Sequence, residues 1–188
     1  MSPLILRLDV SGTPRAWVPW QEAVGLYARE MVAWTTGDSM FTFHGGTCRA
    51  TGLRSQITIS SIIAVKRSHF RSAYKRPVPP LSNRELFLRD GHLCMYCGKE
   101  TPERLLTRDH LKPLSLGGRD RWSNVVAACK SCNNAKGNRT PENAHMQLLA
   151  VPYVPNWAEY LALSNRRILA DQMHFLKSQF GKNSRLLA

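Results

Sequence analysis

The chain has 188 residues, 43% of them apolar, and carries 26 Lys or Arg against 13 Asp or Glu, a formal net charge of +13. Such an apolar share excludes global disorder, and the length allows one domain with a real core or a small domain with an appended module. The charge suits a polyanion, nucleic acid ahead of a membrane surface or a small-molecule substrate, because the apolar runs, such as Ile62 to Val65, are too short to span a bilayer.

In chain order, "PLILRLDV" (3–10) predicts a strand and "SGTPR" a turn. The apolar run of the first segment breaks at Arg7 and lacks the shape of a signal peptide, so a cytoplasmic protein is expected. "WQEAVGLYAREMVAW" (20–34) places Trp20, Ala23, Val24, Tyr27, Met31 and Trp34 at helical spacing. "SQITISSIIAV" is rich in β-branched residues and predicts a strand. A basic stretch follows, with Lys66, Arg67, Arg71, Lys75 and Arg76 around Phe70 and Tyr74, suited to phosphate contacts. "PVPP" then reads as a stiff connector.

Beyond the connector, Ser82 or Asn83 caps a helix that runs toward the first cysteine pair. "RTPENAHMQLLA" has Thr140 as N-cap, Pro141 at the first helical position and Glu142 in the first turn, which predicts another helix. Residues 156–180 place Ile168 or Leu169, Met173, Leu176 and Phe180 on one face of an amphipathic helix that should pack on the body. The expected division is therefore 1–76, a strand-helix-strand module ending in the basic stretch; 77–81, the connector; 82–146, the cysteine-containing domain; and 147–188, a C-terminal helical segment.

Four of the five cysteines form two Cys-x-x-Cys pairs, Cys94/Cys97 and Cys129/Cys132; Cys48 reads most simply as a small buried hydrophobe. Two such pairs in one frame favour a tetrahedral, structural zinc site over thiol redox chemistry. Gly98 supplies the turn after the first pair. Four thiolates close the zinc shell, so the adjacent Asp109 and His110 are not needed there. A carboxylate and an amide oxygen, Asp109 and Asn133, suit a hard divalent cation instead. Asn133 follows the last thiol directly, where a helix should begin.

Cys94-x-x-Cys97, Asp109-His110, Pro113, Gly117-Gly118, Asn124, Cys129-x-x-Cys132-Asn133 and Lys136 occur in one order. This order and spacing, with the flanks "FLRDGHLCMYCG" and "DHLKPLSLGGRDRWSNVVAACKSCNNAKGNRTPENA", resembles the HNH endonuclease family, the ββα-metal nucleases with a four-cysteine structural zinc. The resemblance covers residues 82 to about 146. It departs from the family name at Asn133, which stands where the last letter expects His.

The resemblance implies an α+β fold: a ββα finger with its four-cysteine zinc, preceded by a strand-helix-strand module and followed by a C-terminal helix. It implies metal-dependent hydrolysis of DNA, duplex or branched, leaving 5′-phosphate and 3′-hydroxyl ends. His110 would be the general base, Asp109 and Asn133 the ligands of one Mg²⁺ or Mn²⁺, and Asn124 the residue that fixes the backbone carrying His110. Arg119, Arg121 and Lys136 could contact flanking phosphates. Two other readings stay open: a non-catalytic zinc module that binds nucleic acid, and an RNA-directed nuclease.

Overall fold

In the computed structural model, residues 4–66, 78–182 and 184–187 are described. The chain divides into two units: Met1–Pro77 with Trp157–Phe180, and Val78–Asn156 with Gly181–Ala188.

The first unit is built on β1 (Leu4–Asp9), β2 (Pro14–Pro19), α1 (Trp20–Ala28), β3 (Val32–Thr47) and β4 (Arg54–Val65). The sheet order is β2-β1-β4-β3, with β1 parallel to β4 and the other pairs antiparallel. The module therefore has four strands, two of them before its helix, and the simpler strand-helix-strand lead is corrected accordingly. Alternation along the strands explains its two cores. Ile5, Ile59, Ile63 and Val65 pack with Ala23 and Leu26 of α1. Leu6, Leu8, Ile62 and Ala64 point the other way. There they meet Ala158 and Leu161 of α4 (Trp157–Ser164) and Leu176 of α5 (Ala170–Lys177). Because both faces are covered, the end of β4 is a continuous apolar run instead of an alternating one.

Two polar ties fix α5 on the sheet. Gln172, fully buried, donates its side-chain amide to the carbonyls of Leu4 and Ser61 at 2.9 Å each. Asp171 accepts from the Ser61 hydroxyl at 2.6 Å and the Ser39 backbone N–H at 2.9 Å.

Three helix expectations change. The first helix ends at Ala28: Glu30 takes a left-handed φ of 56°, and Val32 opens β3 opposite Val65. The segment 156–180 is two helices, because Asn165 accepts from the backbone N–H of Arg167 in a local turn that competes with helix propagation. At 139–150 the cap works, with Thr140 Oγ1 accepting from the Asn143 N–H, but the segment stops after a turn. His145 sits at φ 54°, and the Leu149 N–H bonds instead to Met95 O. Residues 147–156 thus stay with the cysteine-containing unit, whereas 157–180 complete the first unit's core. Cys48 is exposed in the β3–β4 turn, which corrects its expected burial.

The second unit contains α2 (Asn83–Arg89), β5 (Leu106–His110), β6 (Val125–Cys129) and α3 (Lys130–Lys136). β5 and β6 form an antiparallel pair, with Asp109 opposite Val126 and His110 opposite Val125. This is a ββα finger in an α+β chain. Its centre is an ion pair with no exposed side-chain surface: Arg89 binds Asp90 through two nitrogens at 2.9 and 3.0 Å. The same guanidinium donates to the carbonyls of Trp122, Val125 and Tyr153. Asp90 in turn accepts from the Ala127 N–H. Among the described residues no helix is long and apolar enough to cross a membrane.

Candidate active site and metal centre

The cysteine cluster is assembled by the finger's own backbone. The first pair lies in a tight turn in which the Cys94 N–H donates to Lys99 O and the Gly98 N–H to Cys94 O, with Gly98 at φ 70°. The Met95 N–H bonds to Ala127 O and brings this turn against β6, whose last residue, Cys129, caps α3. The four Sγ atoms lie within 4.8 Å of one another. Tetrahedral zinc with Zn–S bonds of about 2.3 Å needs sulfurs about 3.8 Å apart, so the donor set fits zinc with a small contraction. Two of the thiols are perturbed in opposite directions. Burial acts upward on Cys94, but the backbone N–H groups of Cys97, Cys129 and Tyr96 outweigh it and hold this thiol down at about 7. Burial, then hydrogen bonding to the other three thiols, pushes Cys132 up. Close-packed thiols behave this way because ionising one disfavours ionising the next.

Residues of β5 alternate between two environments. Thr107 and Asp109 meet α3. Asn133 donates its side-chain amide to Thr107 Oγ1 at 2.8 Å, and Lys136 Nζ lies 3.1 Å from Asp109 Oδ1. Positions 133 and 136 share one helix face, so the pairing is 107 with 133 and 109 with 136. Asp109 is buried, and its other oxygen accepts from the Tyr96 hydroxyl at 2.5 Å. Burial and this bond to Asp109 push the Tyr96 phenol well above its ordinary range, so it stays a donor. Asn133 lies inside α3, not at its start.

Arg108 and His110 meet Asp120. His110 Nε2 is 2.6 Å from Asp120 Oδ1, and Arg108 lies 3.0 Å from Oδ2. The bond to His110, then that to Arg108, holds the Asp120 carboxyl below the usual carboxylate range despite slight desolvation.

The loop between His110 and Asn124 is pinned across its width. Asn124 accepts from the Lys112 N–H at 2.9 Å and donates to the carbonyls of Lys112 and Arg119. Its backbone carbonyl accepts from the Leu111 N–H. Gly118 passes so close that a Cβ there would lie 1.9 Å from Lys112 O, which excludes every other residue. Gly117 adopts φ 80°.

The structure thus brings Asp109, Asn133 and Lys136 to one side of β5, with His110 at its end and Asn124 behind it. Arg119 and Arg121 lie in the pinned loop. Lys136 is not a surface cation. It is 1% exposed, and its ammonium donates to His110 O and Arg139 O besides pairing with Asp109, which corrects its expected place among the phosphate contacts. Lys66 is exposed and donates to Glu30 O; Arg67, Arg71, Lys75 and Arg76 lie outside the described residues.

Sequence reading did not single out Tyr96, Thr107 or Asp120. Asp120 left a signal: it is the one acid between His110 and Glu142, flanked by Arg119 and Arg121.

Residues 94–149 match the family model described as HNH endonuclease. A stretch of 65 residues is 35% identical to part of a CRISPR-associated endonuclease Cas9 of Actinomyces naeslundii. The match covers 34% of this chain and 6% of that relative. With the ββα order and the four clustered thiols, these similarities identify residues 94–149 as a domain of the HNH endonuclease family.

Proposed function

We propose that the chain is a divalent-metal-dependent endonuclease that hydrolyses DNA phosphodiester bonds and leaves 5′-phosphate and 3′-hydroxyl ends. The observation that carries this reading is the end of β5. Asp109 faces α3, and His110 is held by a carboxylate inside a segment of the HNH family. The charge of +13 supports a polyanionic substrate.

Asp109 and Asn133 would hold one Mg²⁺ or Mn²⁺, which when bound offsets charge on the scissile phosphate and the leaving 3′ oxygen. Their chemistry fits a hard cation. Asp109 offers a carboxylate, and Asn133, whose amide N–H is spent on Thr107, keeps its carbonyl oxygen as a donor. His110 takes the proton from the attacking water. With Nε2 engaged by Asp120, Nδ1 is the ring nitrogen left for that task. Asn124 holds the loop after His110 and needs no contact with substrate. Arg119 and Arg121, both exposed, would contact flanking phosphates.

One observation favours a second reading, a non-catalytic zinc module that binds nucleic acid. Both Asp109 oxygens have protein partners, Tyr96 and Lys136, as a purely structural carboxylate would. Incubation with plasmid, linear duplex, branched DNA and RNA separates the readings, with Mg²⁺ or Mn²⁺ against none added. The nuclease reading expects metal-dependent cutting of DNA. His110→Ala should keep fold, zinc and DNA binding while cleavage falls roughly 10²- to 10⁴-fold. Asp109→Ala should lose cleavage and regain part of it at raised Mg²⁺ or Mn²⁺. A His110→Ala protein that cuts at the wild-type rate excludes this mechanism. Cutting confined to RNA moves the substrate.

A further inference from the structure

β3 and β4 run past the rest of their sheet. β4 pairs with β1 only over Ile62–Val65, whereas its ladder with β3 continues to Thr47 opposite Arg54. From Met40 outward, at about 3.4 Å per residue, the pair forms a two-stranded ribbon roughly 25 Å long. A register shift between His44 and Thr47 marks a bulge, which increases the ribbon's twist.

The two faces of the ribbon differ. Phe41, Phe43 and Ile57 turn inward to the core under α1, and Trp20 stacks on Phe43 at 4.2 Å. The outer face carries Thr42 opposite Thr58 and His44 opposite Gln56, all exposed. These four offer both donors and acceptors; the two threonine hydroxyls lie 2.9 Å apart. At the far end Arg54 and Arg49 are exposed. From Ser39 to Arg84 the sequence has no Asp or Glu and eight Lys or Arg. The ribbon thus combines polar groups capable of reading base edges with positive charge and no acid from Met40 outward.

We propose that the β3–β4 ribbon enters the major groove of duplex DNA, with His44, Gln56, Thr42 and Thr58 toward base edges and Arg49 and Arg54 on the flanking phosphates. The major groove of B-form DNA, about 12 Å wide, admits a two-stranded ribbon, and Gln and Thr are suited to its donor and acceptor pattern. The major groove of A-form RNA is too narrow for side chains to read, which selects DNA over RNA. The inference rests on the reading that DNA is the substrate, yet its test needs no cleavage.

The zinc-loaded full chain, without added Mg²⁺ or Mn²⁺, is titrated against a labelled DNA duplex over a salt series. Arg49→Gln with Arg54→Gln should lower affinity about tenfold and reduce the slope of log K against log salt by about 2. Arg49→Lys with Arg54→Lys should restore the slope. His44→Ala with Gln56→Ala should weaken binding at an unchanged slope, and a duplex methylated at guanine N7 should bind the wild type more weakly. Unchanged affinity and slope in the Arg→Gln pair overturns the proposal. So does an equal loss on an RNA duplex. A change from dimer to monomer in sedimentation, with DNA binding intact, would overturn it too and make the ribbon's free edge a self-pairing surface instead. A wild type that shows these dependences but cuts nothing refutes only the nuclease reading. A wild type that cuts while the Arg→Gln pair binds normally refutes only the ribbon.

Discussion

At the scale of single residues, the second unit is organised by polar groups whose partners are distant in sequence. Asp109 and His110 stand out in the chain because they adjoin each other between two cysteine pairs. Asp120 does not, because nothing in "GRDRW" says that a loop pinned by Asn124 and Gly118 will fold it back onto His110. Under the nuclease reading Asp120 is a positioning residue: it accepts the hydrogen bond from Nε2–H and selects the tautomer with the lone pair on Nδ1. Asp120→Ala should therefore lower the turnover rate by about ten- to a hundredfold with little change in KM, and leave zinc content and circular dichroism as in the wild type; Asp120→Glu should recover part of the loss. The contact should also survive mild acid. Because hydrogen bonding holds the Asp120 carboxyl below its ordinary value, the bond it accepts persists through the pH at which a free Asp protonates. It is lost only as pH falls through the lowered value. Full activity in Asp120→Ala would leave the carboxylate without a part in the reaction.

At the scale of elements, sequence patterning located what local chemistry decides and missed what tertiary pairing decides. The β1 and β4 strands, the start of α2 after Ser82, the Gly98 turn and the two cysteine knuckles are all short-range signals. The failures share one cause. Helical periodicity continued through Met31 and Trp34, but the chain turns at Glu30 and strand pairing with β4 claimed Val32 and Trp34; the segment capped by Thr140 stops at His145, and Leu149 bonds to Met95. Sequence also offered no warning that Arg89 and Asp90, adjacent on a polar-looking helix end, would become the buried centre joining α2, β6 and the chain at Tyr153. Removing Arg89 takes away the two short contacts to buried Asp90 and leaves it the longer one, to Arg185 at 3.6 Å. Arg89→Met should cost about 3–5 kcal/mol in urea unfolding of the second unit. A smaller loss, under about 1 kcal/mol, would show that Arg185 or water takes over the charge of Asp90. The cysteine cluster is the other organiser of this unit. Elemental analysis should find about one zinc per chain. Cys97→Ser or Cys129→Ser should remove it, together with the cooperative unfolding transition of this unit, because zinc binding supplies on the order of 10 kcal/mol to such folds. A Cys129→Ser protein that melts cooperatively at the wild-type temperature without zinc would exclude a structural metal.

At the scale of the whole molecule, the excess of positive charge is unevenly spread. The longest acid-free stretch joins the β3–β4 ribbon to the basic run ending at Arg76, and continues to Arg84. Lys66, Arg67, Arg71, Lys75 and Arg76 supply five charges there, against two from Arg49 and Arg54. Counterion release counts phosphate contacts one by one, at a slope of about 0.9 per contact on duplex DNA. The two groups can therefore be told apart by magnitude. Replacing the five by Gln in the full chain should weaken duplex binding at low salt and reduce the salt slope by as much as about 4 to 5, if every one of them meets a phosphate. Each residue that faces elsewhere subtracts about 0.9 from that change. Because separate contacts release separate ions, combining this set with Arg49→Gln and Arg54→Gln should give the sum of the two slope changes. Affinity for a neutral-backbone DNA analogue should move little in either variant. An unchanged slope in the five-residue variant would remove the basic run from the DNA interface and leave the charge there to solubility alone.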